Sequence, residues 1–198
     1  MKLLEPKYRK LMRMLAIPAA LIFVLAIIAM ATGAMSLSYS GVAVDDAGQL
    51  YLGRGGKIEV YEDGQKVNVI APEVDKSFVF TIREGQLVLS TGKVVTTLDL
   101  QGNAVDSKTD EGGAVYKGLK PLRRSFTAAG GTTYTLRHEM LAAQVTAEDG
   151  TVLYSEPGWA NALKPLLALA GLYMIFAAGY IALDRFATLE ATGHLDQV

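Results

Sequence analysis

Two uninterrupted apolar runs constrain this chain more than any other feature. They are Met14 to Met35 and Pro165 to Leu183, and neither contains a charged side chain. Each approaches or exceeds the roughly 20 residues that carry a helix across about 30 Å of hydrocarbon. In lipid only a helix or a closed barrel satisfies every backbone N–H and C=O, and runs this continuously apolar are helical. A buried core helix is the competing assignment, but such helices are typically shorter. The expectation is two transmembrane helices, over 14–35 and 164–183. These runs also explain why 51% of the residues are hydrophobic and the mean hydropathy is +0.25. The first run, at 22 residues, exceeds the roughly 7–15 of a signal-peptide apolar region, although "AMATGAM" offers small residues to a peptidase.

Flanking charge sets the expected orientation. Residues 1–13 hold Lys2, Lys7, Arg9, Lys10 and Arg13 against Glu5 alone. The segment 36–163 carries 12 Lys/Arg and 16 Asp/Glu. Positive segments stay cytoplasmic, so 1–13 is a basic cytoplasmic tail, 36–160 is extracytoplasmic and 184–198 is cytoplasmic again. The expected location is the cytoplasmic (plasma) membrane with both termini inside. Tyr39 and Trp159 then fall near the outer membrane interface, and Tyr8 and Tyr180 near the inner one, where amphipathic rings settle. The chain has no cysteine, which excludes a disulfide framework and thiolate chemistry. No Asn-x-Ser/Thr sequon occurs either. Both features favour a bacterial membrane over a eukaryotic secretory route.

Between the runs the pattern is all-β. Short alternating stretches of Val, Tyr, Thr, Ile and Leu are broken by "DAGQ", "RGGK", "EDGQ", "REGQ", "STGK" and "EDGT". Asp-Gly and Gly-Gly between such stretches mark hairpins, because Gly accepts positive φ without a Cβ clash. The stretches also repeat. "GVAVDDAGQLYLGRGGKIEVYEDGQKV" aligns with "FVFTIREGQLVLSTGKVVTTLDLQGNAV", so that Gly48-Gln49-Leu50 falls on Gly85-Gln86-Leu87 and Leu52 on Leu89. A looser third copy begins at Ser125. The expected repeats are about 41–70, 78–107 and 125–154, each of four strands. In the first they lie near 41–45, 49–53, 57–62 and 66–70.

The first repeat resembles a blade of NHL-type and related β-propellers. The matching residues are Val42, Ala43, Val44, Asp45, Gly48, Leu50, Tyr51, Leu52, Ile58, Val60, Tyr61 and Gly64. The resemblance implies an architecture and not an activity. Propellers usually close with four to eight blades, and three repeats fall short of that number. An open stack leaves strand edges that proteins cover, pair or blunt. A small β-sandwich, a ring completed by a second chain, and an edge docked on another protein are the alternatives.

No constellation for chemistry emerges. His138 and His194 are isolated, and metal sites need converging ligands. "DSKTDEGG" (106–113) invites a calcium reading, but Lys108 breaks the acidic alternation and Gly112 comes one place late for an EF-hand loop. It is expected to be a solvated inter-repeat loop. "GRGGK" (53–57) resembles a phosphate cradle in composition only, because a P-loop needs a strand-to-helix context. Lys120, Arg123 and Arg124 in "KPLRR" form a possible basic contact patch, most simply a solvated loop. With the middle segment acidic overall, nucleic acid is not an expected partner. Nor do the spans hold the ionisable residues that mark ion pathways. They do carry small residues at four-residue spacing, Ala16/Ala20, Ala29/Gly33 and Ala178/Ala182, which let helices approach closely.

The expectation is therefore a membrane protein whose two helices flank an all-β domain. Neither catalytic or metal residues nor a cofactor are expected. The expected function is a non-enzymatic accessory or scaffold subunit, with the bilayer, other membrane subunits or a second copy as partners. The alternative is a surface receptor or binding module for a peptide, glycan or solute.

Overall fold

The structure, a computed structural model, describes residues 6–32, 35–36, 38–74, 77–139 and 142–191. The chain divides into a helical unit, formed by residues 1–31 and 162–198, and a β unit of residues 32–161.

Helix α1 spans Pro6–Ala31. Two further helices occur, a short α2 at Ala114–Leu119 and a long α3 at Gly158–Ala191. Helices α1 and α3 are each long and apolar enough to cross a membrane. Only 17% of the apolar window in α1 is buried, and 6% of that in α3. Such exposure sets them apart from the core helices of a soluble protein, which bury a stripe against other elements. Helix α1 starts before its predicted span, through the basic residues ahead of Met14, and ends at Ala31, short of Met35, whereas α3 runs past its span at both ends, from Gly158 through Asp184 and Arg185. Charge by itself does not end a helix, and Lys, Arg, Leu and Ala are good helix formers. Within the helical unit, the Tyr173 hydroxyl donates to the Met12 carbonyl oxygen.

The β unit holds three antiparallel sheets of four strands. The first is β1 (Tyr39–Val44), β2 (Leu50–Arg54), β3 (Lys57–Glu62) and β4 (Gln65–Ile70). The second is β5 (Val79–Arg83), β6 (Gln86–Ser90), β7 (Val94–Leu98) and β8 (Ala104–Thr109). The third is β9 (Ser125–Thr127), β10 (Thr133–Glu139), β11 (Ala142–Ala147) and β12 (Val152–Ser155). Each is a simple meander in chain order. Three separate four-stranded sheets fit blade-like repeats and not the two sheets of a sandwich.

Turn chemistry sets the register. Asp63 and Gly64 both take positive φ (48° and 74°), as do Glu84 and Gly85 (51° and 71°). These two-residue loops close Glu62 against Gln65 and Arg83 against Gln86. Two successive positive φ values match the right-handed twist of a hairpin, which type I and II turns would splay. At the first hairpin the Asp45 carboxylate does the work, its Oδ1 accepting from the Ala47 and Gln49 amides at 3.0 and 2.8 Å. Asp99 repeats that geometry on Gln101 and Asn103 at 3.0 and 2.8 Å.

The first sheet lies in the middle. Val42, Val44, Leu50, Leu52 and Tyr61 pack against Leu136, Val145 and Tyr154 of the third sheet. On the opposite face Ala43, Tyr51, Ile58 and Val60 pack against Phe80, Leu87, Leu89 and Leu98 of the second. Successive side chains point to opposite faces, so β1 and β2 are buried almost throughout. Their approach to the second sheet is close. A Cβ on Gly53 would stand 2.6 Å from Phe80 Cε1 and 2.9 Å from Ser40 Cβ.

The two segments predicted as solvated loop, 106–113 and the "KPLRR" stretch at 120–124, lie in ordered secondary structure. Asp106 and Lys108 lie on β8, and short 3₁₀ turns at Glu111–Gly113 and Lys120–Arg124 flank α2. Asp110 is buried: its Oδ2 accepts from the Ser90 hydroxyl at 2.6 Å, and its two oxygens accept from the Val115 and Tyr116 amides. These bonds, Ser90 foremost, hold the Asp110 carboxyl below its ordinary pKa. One aspartate thereby ties the linker to the second sheet, which an EF-hand reading does not require.

Candidate functional site

Charged side chains are buried together at one place among the described residues, between the first and third sheets. Register explains how. Leu52 stands opposite Glu59 and Leu50 opposite Tyr61, so Arg54, two places beyond Leu52, and Glu59 share the core-facing parity of the leucines. Two charges thus occupy positions that an apolar side chain would fill. Arg54 and Glu59 are 8% and 6% exposed.

Burial alone costs both ions their hydration, and the arrangement replaces it with hydrogen bonds. Arg54 Nε donates to Glu59 Oε2 at 2.5 Å, Nη1 to the Tyr154 hydroxyl at 3.1 Å and Nη2 to the Tyr61 hydroxyl at 3.2 Å. Tyr61 in turn donates to Glu59 Oε2 at 2.7 Å, and Lys66 reaches Oε1 at 3.4 Å from a more exposed position. The rings of Tyr61 and Tyr154 meet edge to face with centroids 5.0 Å apart. Burial pushes the Glu59 carboxyl up, but bonds from Arg54 and Tyr61 outweigh it and the net shift is downward. Burial likewise raises the phenols of Tyr39, Tyr61 and Tyr154. Burial would lower Arg54, and the Glu59 bond reverses this to a net rise. All three guanidinium nitrogens and both carboxylate oxygens have partners, and Arg54's bond to Tyr154 locks the first sheet to the third.

A second buried contact joins the two ends of the β unit. Glu156 Oε1 accepts from the Ser36 amide at 3.1 Å, with Glu156 at 2% and Ser36 at 8% exposure. The Glu156 amide donates to Ala143 O, and Asn161 Nδ2 to Glu156 O. The chain therefore enters and leaves the β unit at adjoining points.

The predicted site residues fall in differing environments. Of the small residues, Ala29 is buried, whereas Ala16, Ala20, Ala178 and Ala182 are exposed; Gly33 lies outside the described residues. On α1 the small buried positions are Ala19, Ala26 and Ala29, a spacing of seven and three. Tyr39, read as an outer-interface ring, is 6% exposed and belongs to the core of the β unit. Trp159 is 55% exposed, Tyr180 is half-buried, and the side chain of Tyr8 lies outside the described residues. Lys120, Arg123 and Arg124 form the 3₁₀ turn after α2, packed against β1, β5, β9 and β10. Lys120 and Arg124 are exposed and Arg123 is half-buried. Lys120 Nζ sits 5.9 Å from the centroid of the Tyr116 ring. The side chain of His138 and the whole of His194 lie outside the described residues.

Arg54 with Glu59, Ser36 with Glu156 and Ser90 with Asp110 carry the buried polar contacts; Arg54 and Asp110 lay in the "GRGGK" and "DSKTDEGG" stretches, but none of these roles was read from sequence. One signal was available, for Arg54: in "LYLGR" it falls on the parity of Leu50 and Leu52, whereas in "KIEVYE" Glu59 alternates with Ile58 and Val60 and reads as solvent-facing.

No protein-family model matches the chain, and no curated protein matches it. Among solved structures it is similar to a protein of unknown function from Bacteroides caccae, at 14% identity over 60% of this chain and 45% of that one, TM-score 0.28. It is similar to virginiamycin B lyase from Staphylococcus aureus at 11% identity, over 58% of this chain and 39% of the lyase, TM-score 0.33. A streptogramin B lyase gives 11% identity over 61% and 40%, TM-score 0.30. The chain spans less than half the length of these structures. Likeness at such TM-scores assigns no activity to it.

Proposed function

We propose that the chain is a non-enzymatic accessory or scaffold subunit of a membrane complex, with α1 and α3 as spans and the β unit presented outside for protein–protein contact. One observation carries the reading. Two long helices expose large apolar side chains, such as Ile17 at 75%, Leu169 at 64% and Phe176 at 75%, and the Ser36–Glu156 contact brings the two leads of the β unit together. Exposed apolar surface on this scale needs lipid or protein cover. Adjoining leads suit a hairpin of helices inserted from one side. The positive charge before Met14 favours a cytoplasmic N-terminus.

The absence of cysteine makes the topology directly testable. In intact cells a membrane-impermeant maleimide labels Ser155→Cys and reaches Lys10→Cys only after permeabilisation. The reverse pattern overturns the orientation, and release of the chain by alkaline wash overturns the membrane reading. Gentle-detergent purification with crosslinking recovers companion chains. A single free chain at every concentration overturns the subunit assignment.

A further inference from the structure

Charge is sorted by strand direction. Strand β1 leads away from the point where the chain enters the β unit, and antiparallel pairing makes each following strand return. Turns that follow β1, β3, β5 and β11 are acidic, with exposed Asp46, Glu62, Asp63, Glu84, Glu148 and Asp149; the turn after β7 holds a half-buried Asp99 and the turn after β9 is uncharged. Connections that follow even-numbered strands carry the cations. Lys57 follows β2, Lys93 follows β6, and Lys117, Lys120, Arg123 and Arg124 lie between β8 and β9. Among the described residues the exposed acids in those returning connections are Glu73 and Glu111, and Lys66 and Arg83 are the cations beside acidic turns.

The returning connections also meet in space. The Phe80 ring, at the start of β5, lies against Gly41 and Gly53, at the start of β1 and the end of β2. Gly92 lies beside Gly113 and Tyr116, which brings the Lys93 turn to the α2 linker. The Lys120–Arg124 turn packs on β1, β5, β9 and β10. Leu122 stands 52% exposed among these cations. Ser36 and Glu156 mark this as the end where the chain leaves for α1 and α3.

We propose that this cationic end of the β unit, centred on Lys120, Arg123 and Arg124, is a contact surface for anionic phospholipid headgroups, with Leu122 as its apolar tip. The proposal rests on the membrane reading above. If α1 and α3 lie in a bilayer, the leads hold this end toward the headgroups, because a few residues of chain reach only about 3.5 Å each. Exposed cations within a Debye length of an anionic surface, about 10 Å at 0.1 M salt, are attracted to it. The acidic turns follow the strands that run away from the leads, so attraction and repulsion both favour this face.

The test uses the full chain in nanodiscs of phosphatidylcholine alone or with phosphatidylglycerol, followed by hydrogen exchange. Amides of 111–124 exchange several-fold more slowly in the anionic discs, and high salt removes the difference. The triple variant Lys120→Gln, Arg123→Gln, Arg124→Gln abolishes it, whereas Arg83→Gln retains it. Unchanged exchange in the hairpins at 62–65 and 148–151 shows that the triple variant remains folded. Equal exchange of 111–124 in both discs overturns the proposal. So does protection in neutral discs on adding inorganic phosphate, or only on adding a co-purified protein. Failure to enter either disc overturns the membrane reading instead, and the two failures are thereby distinguished.

Discussion

At the scale of residues, the Arg54–Glu59 pair is held by geometry and not by exposure to water. Removing one partner of a buried pair strands the other charge, and typically costs about 3–5 kcal/mol. Glu59→Ala is expected to lower the stability of the β unit by that order in denaturant unfolding. The double replacement Arg54→Met with Glu59→Leu should cost far less, because no charge remains to be desolvated. The same pair sets a pH dependence. The Glu59 and Asp110 carboxyls are depressed in the folded chain from ordinary values of 4.5 and 3.8. Their contributions are complete above those values and vanish as pH falls through the lower folded ones. Thermal unfolding should be level above roughly pH 5 and drop below about pH 4, with a shallower drop in Glu59→Gln.

Elements follow from local chemistry, but their neighbours do not. Hairpins at Asp63-Gly64 and Glu84-Gly85 could be read from turn residues alone, since positive φ at both positions selects them. The first sheet's place between the other two could not. It depends on Gly41 and Gly53 admitting the Phe80 ring from the second sheet, a contact between residues far apart in sequence. Gly53→Ala is expected to destabilise by about 1–3 kcal/mol, as overpacking of a filled core does. Much of that loss should return when Phe80→Leu is added, measured by the same denaturation. The linker was misread for a related reason. Its helix is a single short α2 with no amphipathic period to detect, and Asp110 anchors it through Ser90, on another strand.

For the molecule as a whole, the two faces that end the stack matter most. On the second sheet, α2 contacts β5 and β6, and its Tyr116 lies on Gly92 in the turn between β6 and β7. On the third sheet, Leu136, Val145 and Tyr154 face the core, so alternation turns Thr135, Arg137, Gln144 and Thr146 outward. Such a polar face has little to bury against a further blade. Thr146→Arg should therefore change stability by less than about 0.5 kcal/mol, as surface substitutions do, and leave the mass of the detergent-solubilised particle unchanged. A large loss, or a particle that dissociates, would instead reveal a neighbour on that face.

The sequence by itself determined the two long helices, the four-strand repeats and the turns. Those features depend on side chains near one another along the chain, and their periods of 3.6 and 2 are visible in it. The third repeat was legible even with its pattern weakened, because its turn residues persisted. Only the tertiary structure decided which sheet is central, that Arg54 and Glu59 face inward, and that Ser36 meets Glu156 from the opposite end of the β unit. Those outcomes rest on shape and on the cost of burying unpaired charge, and both depend on partners that spacing along the chain does not reveal.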